Sequence, residues 1–342
     1  MKRKILGGLN INVDLVNDEH KAKRIAFDMN DTTYRHDGFS IGQDYLRLEG
    51  KTISRGDLLP SALEIDGLIG AGAFSEVHQG LWTKKGNKEK VPVAVKQFSL
   101  LDSSEQRHDM LLKEIRALCK VDCKCLVQFY GSFLEKDVVT IVMEFMDRGS
   151  LEQVLKTKSN GLEEQFVASL TFQMLWGLSY LHHEKIIHRD IKPGNVLIHS
   201  TGEVKLCDFG IVSLSEQTLS STVVGTSRYM APERLRADPY GRSSDLWSAG
   251  LVILECMTGE CLWGECKSIV SLLMTVEETS SEDMVPASVS PKLKEMLLSC
   301  MHKEPGKRMP AKLLIKSPWF HKDHGISKLT DAIRIAKDSY PC

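Results

Sequence analysis

The string His188-Arg189-Asp190-Ile191-Lys192-Pro193-Gly194-Asn195 sets an acid, a cation and an amide in one short polar turn. Asp208-Phe209-Gly210 follows shortly after it. An Asp held on a rigid loop can accept a proton from a substrate hydroxyl. Lys192, two residues on, can neutralise a phosphoryl group in flight. Asn195 and Asp208 offer oxygens, the ligand type that a hard divalent cation such as Mg²⁺ prefers. The chemistry this set suits is phosphoryl transfer, where positioning and charge neutralisation supply most of the rate. Each piece alone is common, since a lone Asp-Phe-Gly is an ordinary turn; the order and spacing carry the signal.

Such groups need rigid elements around them. Ile186-Ile187 and Val196-Leu197-Ile198 flank the turn, and the pattern predicts two strands pinning it. Leu63 to Ile69 alternates like a strand and runs into Gly70-Ala71-Gly72-Ala73-Phe74-Ser75-Glu76-Val77. Small residues there let the backbone approach a polyphosphate. A lone Gly-x-Gly also marks the dinucleotide fold, but there a helix follows. Here Val77 to Trp82 reads as a second strand. In Val91-Pro92-Val93-Ala94-Val95-Lys96, Val93 and Val95 share one face, Ala94 and Lys96 the other. Gln106 to Val121 reads as an amphipathic helix through Met110, Leu111, Ile115, Leu118 and Cys119, with Glu114 beside that face. Glu105 and Asp109 sit nearer its exposed start.

Leu126 to Phe133 and Val138 to Met143 predict two more strands around a turn at Glu135-Lys136-Asp137. Gly161 to His183 predicts a long helix, and Asp245 opens a hydrophobic one. Residues 211–230 are hydroxyl-rich and aperiodic. Residues 291–320 supply the last helices, and Ser327 to Lys337 can form one more in the tail. Residues 12–38 are rich in polar and charged groups, whereas Phe39 to Leu48 is richer in apolar ones and reads as a strand or a docked segment.

The totals are those of a globular chain. Its 342 residues are 42% hydrophobic and 26% charged, enough for a sizeable core. A net charge of −1 calls for neither nucleic acid nor an acidic membrane. Ala249 to Met257 is the best apolar run and is too short to span a bilayer, so no membrane insertion is expected. Met1-Lys2-Arg3-Lys4-Ile5-Leu6 starts like a signal peptide, but Asn10, Asn12 and Asp14 interrupt it. Nine cysteines without a metal-type spacing suit free thiols in a reducing, cytoplasmic setting.

Taken together, the motifs resemble those of the protein kinases over about residues 63–320. The resemblance implies an α+β, bilobal fold: a small β-rich N-lobe (63–146) with one regulatory helix, and a larger, mainly helical C-lobe (147–320). Residues 1–62 would then be an N-terminal extension and 321–342 a tail. It implies ATP and Mg²⁺ as cofactors. Asp190 and Lys192 would be catalytic, with Asn195 and Asp208 holding the metal. Lys96, set by Glu114, would hold the phosphates. ATP would be bound by residues 69–77 (Ile69, Gly70, Ala71, Gly72, Ala73, Phe74, Ser75, Glu76 and Val77). Met143 would be the gatekeeper. The backbone at Glu144 and Met146 would meet the adenine, with Ser150 and Gln153 near the ribose. Ser75 departs mildly from the third glycine of the kinase pattern. Arg308 would be the buried partner of Glu233, and Asp245 would brace the catalytic loop. The thiol of Cys207, before Asp208, is either an accessible nucleophile or an inert buried group.

Lys192 and Thr226 are features of serine/threonine-type kinases. Tyr229-Met230-Ala231-Pro232-Glu233-Arg234-Leu235 resembles the MAP kinase kinases, whereas kinases upstream of those usually carry Trp where Tyr229 stands. Met143 and Cys207 match the same subfamily. In that alignment Thr218 and Thr222 fall on the two activating phosphosites, with Ser215, Ser220 and Ser221 as competitors. Lys2, Arg3 and Lys4 followed by Leu9 and Ile11 resemble a docking peptide for a MAP kinase substrate; the bland alternative is a frayed terminus. The proline-rich insertion of some members is absent between Gly264 and Ser288. The resemblance implies a kinase that phosphorylates Thr and Tyr of a MAP kinase and is itself activated by a MAP kinase kinase kinase. The alternatives are another serine/threonine kinase of the cascade or a kinase-fold scaffold.

Overall fold

The computed structural model describes residues 26–28, 33–36, 39–42, 46–48, 51–52, 58, 60–72, 75–84, 89–100, 105–209, 225 and 227–341. The docking peptide (Lys2 to Ile11), Ala73, Phe74, Gly210, Thr218, Thr222 and Thr226 lie outside the described residues, as do Ser215, Ser220 and Ser221.

Five short strands come first: β1 (Ala26–Asp28), β2 (Thr33–His36), β3 (Phe39–Ile41), β4 (Leu46–Leu48) and β5 (Lys51–Thr52). They form an antiparallel meander in chain order. A second five-stranded sheet follows, from β6 (Leu63–Ala71), β7 (Glu76–Thr83), β8 (Lys90–Ser99), β9 (Phe129–Glu135) and β10 (Val138–Glu144), ordered β6-β7-β8-β10-β9. The β9–β10 turn is Lys136-Asp137, with φ of 49° and 61°. Two left-handed residues match the twist of a two-residue hairpin. Strand β9 starts at Phe129 rather than Leu126, because Leu126 bridges to Leu206 of the C-lobe instead.

Helix α1 (Glu105–Lys120) lies between β8 and β9 in the chain. Beyond its exposed first strand, the sheet buries side chains on both faces. Val93, Val95, Trp82, Phe133 and Val142 pack with Leu58 on one side. Val139, Ile141 and Leu134 share a core with Leu111, Leu112, Ile115 and Leu118 of α1. The first sheet joins this core at β9. Ile41 and Leu46 are buried there, and Gly42 O accepts from Leu134 N at 2.9 Å. Replacing Leu46 by Ala is expected to cost about 2–5 kcal/mol, the usual range for emptying a filled core site. Denaturant unfolding reads this directly; an unchanged midpoint would show that the meander is not docked in solution.

The C-lobe holds α2 (Leu151–Lys156), α3 (Glu164–His183), the hairpin β11 (Val196–Ile198) and β12 (Val204–Leu206), α4 (Pro232–Leu235), α5 (Ser243–Thr258), α6 (Ile269–Glu278), α7 (Pro291–Cys300), α8 (Ala311–Leu314) and α9 (Leu329–Asp338). Its centre is α3 on α5, with Phe166, Leu170, Leu178, Trp247, Val252 and Ile253 at or near zero exposure. Helix α3 begins at Glu164, not at Gly161. Gly161 has φ +78°, and a Cβ there would lie 2.3 Å from Met257 O, so the chain turns at this glycine. The tail helix α9 packs on α3 through Ala332, Ile335 and Ala336. Trp319 and Phe320 close the lobe as fully buried side chains.

The fold is α+β, a β-sheet N-lobe on a helical C-lobe. The eight cysteines among the described residues are all free. No helix among the described residues is long and apolar enough to cross a membrane.

Candidate active site

The two lobes enclose a cavity of about 500 Å³. The sheet lines it with Ile69, Gly70, Val77, Ala94 and Lys96, and Met143 to Gly149 line it along the segment joining the lobes. Ser150, Gln153, Gly194, Leu197, Cys207 and Asp208 line it from the C-lobe. Apolar walls thus lead to a charged end.

That end is built on Lys96. Its Nζ donates to Glu114 Oε1 at 2.9 Å and to Asp208 Oδ1 at 2.8 Å, and its side chain is 7% exposed. Burial alone would lower the Lys96 pKa; Asp208 and then Glu114 outweigh it, so the ammonium is held above its ordinary value. Burial likewise opposes the Asp208 charge, and Lys96 overrides it, keeping the carboxyl below its usual value. Asp208 has φ 55° and Arg189 φ 73°. Left-handed residues that are not glycine carry strain, which concentrates where geometry is imposed by function. Phe209 anchors the first of them, 1% exposed with its ring edge-on to His188.

Asp190 sits beside this end. Asn195 Nδ2 donates to Asp190 Oδ2 at 2.8 Å and to its carbonyl at 2.7 Å, while Lys192 Nζ lies 2.8 Å from the same carboxylate. Asp190, Lys192 and Asn195 therefore converge through one carboxylate. The expected strand before the loop is absent, since residues 186–190 form none. Their amides are held differently. Asp245, 2% exposed, accepts from His188 N and Arg189 N at 2.9 Å each, and from His182 Nε2 at 2.8 Å. A buried carboxylate with three donors does what a ladder would have done, and those donors keep its pKa lowered although burial opposes the charge.

Further bonds fix the segment beyond. Arg234 Nη1 donates to Arg189 O. Tyr229 OH donates to Glu255 at 2.6 Å, and Ser248 Oγ to the Tyr229 carbonyl at 2.6 Å. Arg308 grips Glu233 with two bonds of 2.6 and 2.7 Å, and Ser244 Oγ donates to the same carboxylate at 2.6 Å.

Some expected residues stand off the cavity. Ala71, Gly72, Ser75 and Glu76 do not line it; Glu76 is exposed and meets His78 at 3.2 Å. Glu114 stands behind Lys96. Ser150 and Gln153 line it while also capping α2, Gln153 Oε1 accepting from Ser150 N at 2.8 Å. Cys207 donates weakly to Asn195 O at 3.6 Å, and burial pushes its thiol pKa well up, so it stays protonated.

The sequence reading missed Lys205, 6% exposed, which donates to Glu144 at 2.7 Å and ties the end of β10 to β12. An interior Lys in Val204-Lys205-Leu206 was the available signal, because a buried lysine needs a partner. It also missed Ala94 and Leu197; strand alternation puts Ala94 on the Lys96 face.

A nucleotide and Mg²⁺ fit this donor set. Asn195 uses its amide nitrogen on Asp190, so its oxygen is not spent there. Among the described residues, no group of three or more His, Cys, Asp or Glu could hold a metal alone. Mg²⁺ suits one or two carboxylate or amide oxygens completed by phosphate and water.

The model of the protein kinase domain matches residues 63–320. The chain belongs to the protein kinase family. The kinase is 34% identical over 273 residues to mitogen-activated protein kinase kinase 2 of Arabidopsis thaliana, covering 77% of this chain and 73% of that one. It is 35% identical over 266 residues to mitogen-activated protein kinase kinase 3 of the same plant, covering 76% and 50%. It is also 32% identical over 262 residues to mitogen-activated protein kinase kinase kinase 3 of that plant, covering 74% and 40%. The kinase thus spans about three quarters of the first relative, half of the second and two fifths of the third.

Proposed function

We propose that this kinase is a MAP kinase kinase, moving the γ-phosphoryl group of ATP to Thr and Tyr in a MAP kinase activation loop. The reading is carried by relatives named MAP kinase kinases matching across most of the chain. The Tyr229-Met230-Ala231-Pro232-Glu233 string supports it.

The geometry supports a role for each residue. Lys96, oriented by Glu114, aligns the phosphates from the back of the cleft. Ile69, Val77, Ala94, Met143 and Leu197 give the base an apolar slot, and the backbone from Glu144 to Met146 meets its edge. Asp190 accepts or orients the proton of the substrate hydroxyl, while Lys192 neutralises charge on the transferring group. Asn195 and Asp208 would hold Mg²⁺, which supplies charge neutralisation at the phosphates when bound. Arg189 Nε is buried without a partner among the described residues, which suits a cation that receives a phosphorylated activation segment.

Thr218 and Thr222 are proposed as the activating phosphosites. Replacing both by Ala should abolish activation by an upstream MAP kinase kinase kinase, read as phosphotransfer after preincubation; normal activation would disprove the assignment. Residues 2–11 are proposed to tether the substrate. Deleting residues 1–12 should raise the KM for a MAP kinase by about 10²-fold without changing turnover of a short peptide.

The match to a MAP kinase kinase kinase favours one other reading, a kinase acting one step earlier. Phosphosite mapping on a panel of MAP kinases and MAP kinase kinases separates them. Paired Thr and Tyr labelling of a MAP kinase supports the proposal; labelling of MAP kinase kinases alone overturns it.

A further inference from the structure

A second groove lies on the C-lobe and shares no residue with the cleft. It has a volume of about 940 Å³ and runs between the end of α3, the start of α5 and the segment around α8. Its charge is of one sign. Arg242, Lys312 and Lys316 are exposed along it, and no Asp or Glu lines it. Two carboxylates do bond to lining residues, Glu233 to Arg308 and Asp245 to His182. Both are buried and spent on those partners, so they leave the exposed cations uncompensated. No carboxylate among the described residues pairs with Arg242, Lys312 or Lys316. The chain as a whole carries a net charge of −1, so this is a local concentration of cations.

The groove also presents an anchor. Trp176 is 39% exposed, yet its ring is stacked on the buried Phe172 at 6.0 Å and 28°. It is a large apolar surface held in place before anything binds. Leu246 and Ile315 line the groove as well. Fixed aromatic anchors bordered by charge are what protein partners use as binding hot spots. The combination selects a ligand with carboxylates along one edge and an apolar side chain between them. A single small anion would leave the apolar part wet, and the chain's own Lys2-Arg3-Lys4 terminus has the wrong sign.

We infer that this groove docks an acidic peptide segment of a partner protein. The segment's carboxylates face Arg242, Lys312 and Lys316, and one of its apolar residues lies on Trp176. The inference does not depend on which protein the kinase phosphorylates.

The test is fluorescence anisotropy on the full chain. The probe is a fluorescein-labelled peptide of alternating Glu and Ser with a central Leu-Phe pair; its counterpart has every Glu replaced by Lys. The Glu probe should bind saturably and the Lys probe should not. The double substitution Lys312→Glu and Lys316→Glu alters two exposed side chains only and should weaken binding about tenfold. Trp176→Ala should weaken it similarly, and raising ionic strength from about 0.05 to about 0.3 M should weaken the wild type. Equal binding by wild type and both variants overturns the proposal, as does equal binding of the Lys probe. Binding of anionic phospholipid vesicles through Lys312 and Lys316, with no binding of the Glu probe, also overturns it. So does a probe that binds only after Asp14, Asp18 and Glu19 are changed to Ser, since the chain itself would then fill the groove.

Discussion

Replacing Asp190 by Asn lowers turnover by about 10²- to 10⁴-fold and leaves nucleotide affinity nearly unchanged. Asn keeps the size and the hydrogen-bond acceptor that Asn195 Nδ2 uses at 2.8 Å. It loses the proton acceptor and the charge that holds Lys192 at 2.8 Å. None of the residues lining the cavity is altered, since Asp190 stands beside it. Steady-state phosphotransfer gives the first quantity and calorimetric titration of ATP the second. Turnover equal to that of the wild type would remove Asp190 from the chemistry. A parallel loss of ATP affinity would make it a structural residue.

Replacing Arg308 by Met destabilises the C-lobe by about 3–5 kcal/mol, because Glu233 is left charged and unmated in the interior. Arg308 and Glu233 side chains are 0% and 3% exposed. Against the usual ~5–15 kcal/mol of net stability, roughly a fifth or more would be lost. Removing both partners, with Glu233→Leu, should recover most of it.

Acid gives an independent check. Burial opposes the Glu233 charge, but bonds from Arg308 and Ser244 outweigh it and hold the carboxyl below its ordinary 4.5. A carboxyl depressed on folding contributes stability that is present above its unfolded value and is lost as pH falls through its folded one. The gap between wild type and Arg308→Met should therefore be full near neutrality and shrink as acid protonates Glu233, first in the variant, where burial without Arg308 favours the neutral form, and then in the wild type below pH 4.5. Urea unfolding at several pH values reads it; a gap independent of pH would mean that Glu233 is already neutral.

The legible parts of the sequence were those where chemistry and periodicity agree. Lys96 at the end of an alternating strand, Glu114 beside a helical stripe and Asp208 in its Asp-Phe-Gly triplet could each be singled out, and the structure brings the three together at 2.8–2.9 Å. Buried charges were legible as pairs because an interior carboxylate must find a donor. That reasoning supports Glu233 with Arg308, while Asp245 on the loop backbone came from the kinase resemblance, and the structure shows both contacts.

The illegible parts were short or long-range. Strands β1 to β5 have two to four residues each, too few for alternation to register. Only Phe39 to Leu48 stood out, through apolar residues such as Ile41 and Leu46 that reach the core beside β9. The segment before His188 looked like a strand because Ile186-Ile187 is apolar. Ile186 N bonds back to the Leu181 carbonyl at 2.8 Å, and the next amides, of His188 and Arg189, bond to a carboxylate 57 and 56 residues away, which no local pattern reveals. The Lys205–Glu144 tie spans 61 residues and escaped for the same reason.

The most direct measurement is a crystal structure of the kinase with Mg²⁺ and a non-hydrolysable ATP analogue. The account predicts oxygens of Asn195 and Asp208 on the ion, Lys96 Nζ on the phosphates and the terminal phosphate facing Asp190. A triphosphate seated elsewhere, or an ion that touches neither Asn195 nor Asp208, would contradict it.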